Sequence, residues 1–391
     1  MSSASTQNSL IPPLRDPLPF RPPPPTPPDH LRNFRNNDIP RWLFRVYTPN
    51  SCGETTATRV RPKSTTTSAP DSAYVDIFDS SRPEALRAGH LRRHLQWECD
   101  KPKVRDCNFV SWSCSLLWVL QYALHRMEVY DGLQETREKV KFLLLDTSKL
   151  NPGTFISDVD LINFFAKHEQ FSGMRSLQGL RNLRGQRKGY YFGEYLSQGD
   201  LQIGSACVQT DLQELIHCGL FELLPELNDQ RQWRNVNKGG VFDLRETLRL
   251  SLVGNDLDNG VFENMATRED VLTAIELGRL FRSDTLDFTV PAAAVFLGLR
   301  KRVKQDPTIL KVFAEKFSAA QIDGLQLGDI MIRIPGEPWI PEVLQFRMIL
   351  RDIQQHFETL GEQRQQAEPR EDSADVVIDM LSGLQISSVS A

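Results

Sequence analysis

Three sets of polar residues sit inside or at the ends of otherwise apolar runs: Arg45, the pair Ser111 and Ser113, and Glu194. Strand alternation over Trp42 to Tyr47 puts Leu43, Arg45 and Tyr47 on one face and Phe44 and Val46 on the other. A guanidinium sharing a face with large apolar groups must reach a partner, because an isolated buried charge costs several kcal/mol. By the same alternation Glu194 shares its face with Tyr190, Phe192 and Leu196, so its carboxylate is either paired or facing a cleft. Ser111 and Ser113 stand between a strand end and a helix start, where hydroxyls and free amides can meet a phosphate or a ribose, or simply cap the helix. A structural ion pair accounts for Arg45 and Glu194 as well as a binding cleft does.

Common catalytic signatures are missing: the chain has no GxxxxGK[ST], GxGxxG, HExxH or GxSxG. His90 and His94 lie four residues apart on one expected helix with Cys99 nearby, but no acidic residue or second cluster completes a site, so no metal is expected. Cys107 and Cys114 flank the serine segment without an evident base to activate either thiol. Between Gly173 and Gly193 the residues Arg175, Arg181, Arg184, Arg187 and Lys188 occur with no acidic residue. That stretch is either a solvated loop or helix face or a basic flap that attracts a dinucleotide or a nucleic-acid acceptor.

The order of these residues along the chain resembles a known pattern. An Arg in the first strand, Ser-x-Ser at a later strand end and a Glu in a late strand is similar to the R-S-E pattern of the arginine-type ADP-ribosyltransferase fold. More closely, Leu43-Phe-Arg-Val-Tyr-Thr-Pro-Asn-Ser-Cys-Gly53, Phe109-Val-Ser-Trp-Ser-Cys-Ser-Leu116 and Gly193-Glu-Tyr-Leu-Ser-Gln-Gly-Asp-Leu201 resemble a fungal domain family of unknown function over about residues 39–228. The resemblance implies an ADP-ribosyltransferase-like domain that uses NAD as co-substrate. Arg45, Ser111 and Ser113 would bind the cofactor, and Glu194 would be the catalytic carboxylate that steadies positive charge on the ribose as nicotinamide leaves. Two departures accompany the likeness: Trp112 stands between the serines, and Phe192 stands two residues before Glu194.

The elements that must position these residues follow from pattern. Strands are expected at Trp42 to Tyr47, at Phe109 and Val110, at Val140 to Leu145, at Tyr190 to Leu196 and at Cys207 to Gln209. Helices are expected near Arg82 to Trp97, from Leu116, after Ser157 and after Asp211, with a Ser/Thr-rich loop from Thr55 to Ala69. After Asn228 the pattern turns helical, at Leu244 to Leu252, Arg268 to Phe281, Pro291 to Arg302, Pro307 to Phe317 and Ile340 to Leu360. The fold class expected is α+β: a mixed-sheet domain at 39–228, a mainly helical region at 229–360, a Pro-rich disordered tail at 1–38 and an acidic flexible tail at 361–391.

Composition sets the outer limits. The chain has 391 residues, 40% hydrophobic and 25% charged, as in ordinary globular proteins. A net charge of -4 does not fit a generally basic nucleic-acid binder. Six scattered cysteines without a CxxC pair, and no apolar run near the roughly 20 residues that span a bilayer, point to an intracellular protein with reduced thiols, in cytoplasm or nucleus alike. A protein partner could dock on the helical region or on the Pro22 to Pro28 segment, whose PxxP pattern suits an SH3 or WW domain. On that alternative the protein is a non-catalytic interaction scaffold.

Overall fold

The computed structural model describes residues 18–23, 39–66, 75–101, 103–128, 136–186, 191–228, 240–253, 265–325 and 339–367. Six strands form the main sheet: β1 (Trp42–Tyr47), β4 (Phe109–Ser113), β5 (Lys141–Asp146), β6 (Ile156–Ser157), β7 (Glu194–Gln198) and β9 (Cys207–Asp211). Their order is β6-β7-β4-β1-β5-β9, and every registered pair is antiparallel. A smaller sheet joins β2 (Glu54–Thr55), β3 (Arg59–Arg61) and β8 (Leu201–Gln202); β3 and the end of β2 fall in the stretch expected to be a loop. With the helices below, the class is α+β.

The main sheet is split in the middle. β1 pairs with β5 over six residue pairs, from Trp42↔Asp146 to Tyr47↔Lys141, and β4 pairs with β7 over five. Between β1 and β4 only Phe44↔Ser113 is in register, so the two halves diverge beyond that point. On the face that carries Phe44 and Phe109, each half has its own core. Over β1 and β5, helix α2 (Leu116–Glu128) covers Phe44 and Phe142 with Leu117 and Leu120. Over β4 and β7, helices α1 (Glu84–Leu95), α3 (Asp158–Phe165) and α4 (Leu177–Gln186) cover Phe109 and Leu196 with Leu91, Phe165 and Leu177. The opposite face packs Leu43, Trp112, Leu143 and Tyr195 into a third cluster.

Caps mark the helix starts that the sequence signals. Ser157 accepts from the Val159 amide at 3.2 Å to begin α3. Asp211 and Glu214 form a reciprocal capping box at α5 (Leu212–His217), which satisfies amides that would otherwise be orphaned. The later helices α6 (Gly240–Val253), α7 (Arg268–Arg279), α8 (Thr289–Leu297), α9 (Pro307–Lys316) and α10 (Pro341–Ala367) pack back onto the sheet domain. Phe288, Phe296, Phe346 and Leu350 share one core with Trp42 and Phe44, and Trp42 meets Phe288 edge to face at 5.1 Å. Of the apolar residues on or beside these helices, Ile275, Leu277 and Phe281 with Phe346, Ile349, Leu350, Ile353 and Phe357 are buried in that core, Leu272 and Leu280 are partly buried against it, and Leu344 is exposed.

Several boundaries differ from expectation. The strand foreseen from Tyr190 begins at Glu194, because Gly193 bends the chain at φ 61° and an added Cβ there would stand 2.2 Å from Cys114 Sγ. The helix foreseen over Pro291 to Arg302 starts earlier and ends at Leu297. In the tail expected to be disordered, residues 18–23 pack against the domain: Phe20 is buried, its amide donates to the Gly153 carbonyl at 2.8 Å, and its ring meets Phe78. At the other end α10 continues to Ala367, past the expected boundary at 360. The remainder of both tails, with most of the PxxP segment, and Arg187 and Lys188 lie outside the described residues. No described helix is long and apolar enough to cross a membrane.

Candidate functional site

Where β1 and β4 part, a cavity opens between the two cores, with about 820 Å³ of empty space counting its mouth. Arg45, Ser111 and Glu194 all line it. The split explains Arg45. With the ladder to β4 interrupted, the Ser111 carbonyl lacks a strand partner there, and Arg45 Nη1 donates to it at 2.8 Å. Its Nε and Nη2 reach Thr55 Oγ1 at 3.4 and 3.3 Å, so the guanidinium is held at the cavity wall.

Ser113 stands apart from the other three. It is fully buried, its hydroxyl donates to the Phe192 carbonyl at 2.6 Å, and it accepts from the Ser115 amide at 3.0 Å. Its place is the strand-to-helix turn, not the cavity lining. The Trp112 ring projects to the opposite face, where it packs edge-on against Phe155 at 5.8 Å and donates to Ser197 Oγ at 3.0 Å. The cavity is therefore not filled by that indole.

Glu194 is buried, with 2% exposure, and Arg184 Nη2 donates to its Oε2 at 2.9 Å. The same guanidinium donates through Nε to Asp158 Oδ2 at 2.9 Å. One arginine thus serves two carboxylates. Burial, with Glu194 adding to it against Arg184, pushes the Asp158 carboxyl up to about 7. The basic flap foreseen from sequence is in part this helix: Leu177 and Leu180 are buried, Arg184 turns inward, and Arg175 and Arg181 are exposed. Arg184 also lies over the Phe192 ring at 4.1 Å, Phe192 stacks on Trp118 at 4.3 Å, and Trp118 stacks on Tyr122 at 5.4 Å. Trp97, in the left-handed region at φ 57° and 45% exposed, extends this aromatic wall against Tyr122 to the cavity mouth.

His94 closes the inner end. Its Nε2 is 2.9 Å from Ser111 Oγ and its Nδ1 is 3.2 Å from Cys107 Sγ. A hydrogen bond from Cys99 holds the Cys107 thiol well below its usual range, burial opposes this, and His94 reinforces it. Burial presses the His94 imidazole down, but the sulfur of Cys107 more than offsets it, and the net is upward. His90, the other half of the pair noted in the sequence, pairs instead with Asp106 at 3.2 Å. Sequence reasoning placed Arg184 only within a basic flap and missed its pairing with Glu194 and Asp158, as well as the His94 to Cys107 contact, since each depends on pairings across loops. The spacing of Trp118 and Tyr122, one helical turn apart, was the available signal for the aromatic wall.

Chemically, the arrangement offers an anion-directed guanidinium, a hydroxyl oriented by an imidazole, a buried carboxylate and flat aromatic surfaces around one open cavity. No curated protein and no solved structure matches the chain. Residues 38–208, which run from just before β1 into β9 and hold every residue of this site, match the model of a family described as Domain of unknown function (DUF7587).

Proposed function

We propose that the cavity binds NAD and that the domain cleaves the bond between nicotinamide and ribose, as the resemblance to ADP-ribosyltransferases implies. The observation that carries this reading is the meeting of Arg45, Ser111 and Glu194, from three distant segments, on one open cavity. Arg45 would face phosphate or ribose oxygens, where a planar two-pronged donor suits paired anionic acceptors. Ser111, held by His94, would orient the ribose, and Trp97, Trp118 and Tyr122 would stack a flat heterocycle.

Glu194 would accept from a ribose hydroxyl and stabilise the cation that forms at C1′. The C1′–N bond breaks with its electron pair leaving on the nicotinamide nitrogen, so neutral nicotinamide departs. Water then adds to C1′ and gives up a proton, yielding ADP-ribose; an acceptor side chain in place of water makes the step a transfer.

The test is NAD turnover by the full chain, with released nicotinamide as the readout, for wild type against Glu194→Gln. The expected loss is about 100-fold or more. Equal, background turnover in both proteins removes the enzymatic reading. A second reading, a non-catalytic interaction protein, is favoured by the ion pair between Glu194 and Arg184, which gives the carboxylate a structural occupation. NAD binding measured by calorimetry separates the two: wild type binds on the first reading, with Arg45→Ala weaker by about 1.5–3 kcal/mol, and does not bind on the second.

A further inference from the structure

We propose that His94, Cys99 and Cys107 bind a thiolate-preferring divalent metal of the Zn²⁺ class, with Cys52 as the fourth ligand. One donor atom from each of the first three residues lies within 4.8 Å of the others, a spread that modest side-chain rotation brings onto a tetrahedral ion. Cys52 stands outside that group of three but borders the same cavity, and its Sγ donates to the Cys99 carbonyl at 3.5 Å. All six cysteines of the chain are thiols rather than disulfides, so these sulfurs are available to a metal.

The ligand set selects the metal. Two or three thiolates with one imidazole and no carboxylate suit Zn²⁺, and disfavour Mg²⁺ and Ca²⁺, which require oxygen. The imidazole is already aimed. His94 turns Nδ1 toward Cys107, while Nε2 faces Ser111 Oγ at 2.9 Å, the outer hydrogen bond that fixes tautomer and ring plane in metal sites.

The ligands come from separate pieces of chain: the end of α1, the short turn Glu98–Asp100, the approach to β4 and the turn after β1. Lys63 Nζ pins the middle piece by donating to the Cys99 and Lys101 carbonyls at 2.7 and 2.8 Å. A bound ion would staple the roof of the cavity to both halves of the split sheet. In sequence only His94 and Cys99 stand close together; Cys52 is far from them, and Cys107 is reached only through the loop after α1. This site does not depend on NAD binding, and its test reads metal alone.

The experiment strips the reduced full chain with chelator and titrates it with Co²⁺, then with Zn²⁺. Expected is saturation at a single equivalent, with thiolate-to-cobalt charge transfer and the intense visible bands of a tetrahedral ion, all displaced by Zn²⁺. Ser111→Ala weakens binding about 10–100-fold, and Cys99→Ser/Cys107→Ser weakens it further. Cys52→Ser lowers the charge-transfer intensity, whereas Cys207→Ala/Cys218→Ala titrates as wild type. Absence of a tetrahedral spectrum in the wild type overturns the proposal, and that arm decides even where a ligand variant fails to fold. So does unchanged binding by the Cys99→Ser/Cys107→Ser protein, or a Cys99 to Cys107 disulfide whose reduced form takes up no metal.

Discussion

Two buried arginines each hold a glutamate, and they do so differently. Arg249, on α6, meets Glu342, on α10, through Nε at 3.2 and 3.1 Å and through Nη2 at 2.6 Å, while Nη1 donates to the Tyr191 carbonyl at 2.6 Å. Ser115 donates its hydroxyl to the same carboxylate. The pair joins the later helices to the sheet domain. Arg184 is shared between Asp158 and Glu194, and Asp158 Oδ1 is buried with no hydrogen-bond partner among the described residues. Among the described residues the first network sets one guanidinium against one carboxylate. The second shares one guanidinium between two buried carboxylates, one of which, Glu194, lines an open cavity, where it can act on a ligand that develops positive charge.

That contrast can be broken by removing each arginine in turn. Arg249→Met strands the Glu342 carboxylate in the interior and should cost about 3–5 kcal/mol by denaturant unfolding at any pH well above the carboxylate range. Arg249→Met/Glu342→Leu should recover most of it; a single variant that loses under about 1 kcal/mol would mean that the pair contributes little.

Arg184→Met should cost a similar amount at pH 8, but less at pH 5, where Asp158 can carry its proton. A cost that does not vary with pH contradicts the sharing of one cation by two carboxylates.

The wild type should show the same chemistry more gently. Asp158 titrates higher folded, at about 7, than at its ordinary 3.8, so the folded state holds a proton that the unfolded chain has released. Its contribution to stability is therefore complete below about 3.8 and is lost as pH rises through about 7, a slope that Asp158→Asn should flatten in urea titrations. The smallest effect should come from Trp97→Gly. Relief of the left-handed backbone offsets lost ring contact with Tyr122, leaving stability within about 1 kcal/mol. Its effect should appear instead as weaker NAD binding in calorimetry, and unchanged affinity would separate the aromatic wall from the ligand.

Much of the scaffold was legible. The alternation of Trp42–Tyr47, the Ser157 cap and the Asp211 capping box are local signals, and local physics settles them. The need of Arg45 for a partner was also legible, though not that the partner would be a backbone carbonyl exposed by a split in the sheet. What stayed hidden depends on pairings across long loops. Glu194 gains its cation from a helix ten residues upstream, and Gly193 breaks the alternation that would have assigned its face. Ser113 looked equivalent to Ser111, but one lies at the point where the sheet holds together and the other where it has opened. Composition cannot register that difference.

Phe20 bears on where this protein can be cut. Pro19 accepts at 3.2 Å from Gln198, the last residue of β7, and Arg21 donates its amide to Asp76 at 2.8 Å, so residues 18–23 lace across the β4–β7 half of the sheet. At the opposite side, Phe288 and Phe346 cover Trp42 and Phe44. A fragment trimmed to residues 38–208 would keep every group of the cavity yet leave apolar surface bare on both halves of the sheet. The stretch that matches a family and the stretch that buries the apolar faces of the sheet are different lengths of chain, and the second is the longer.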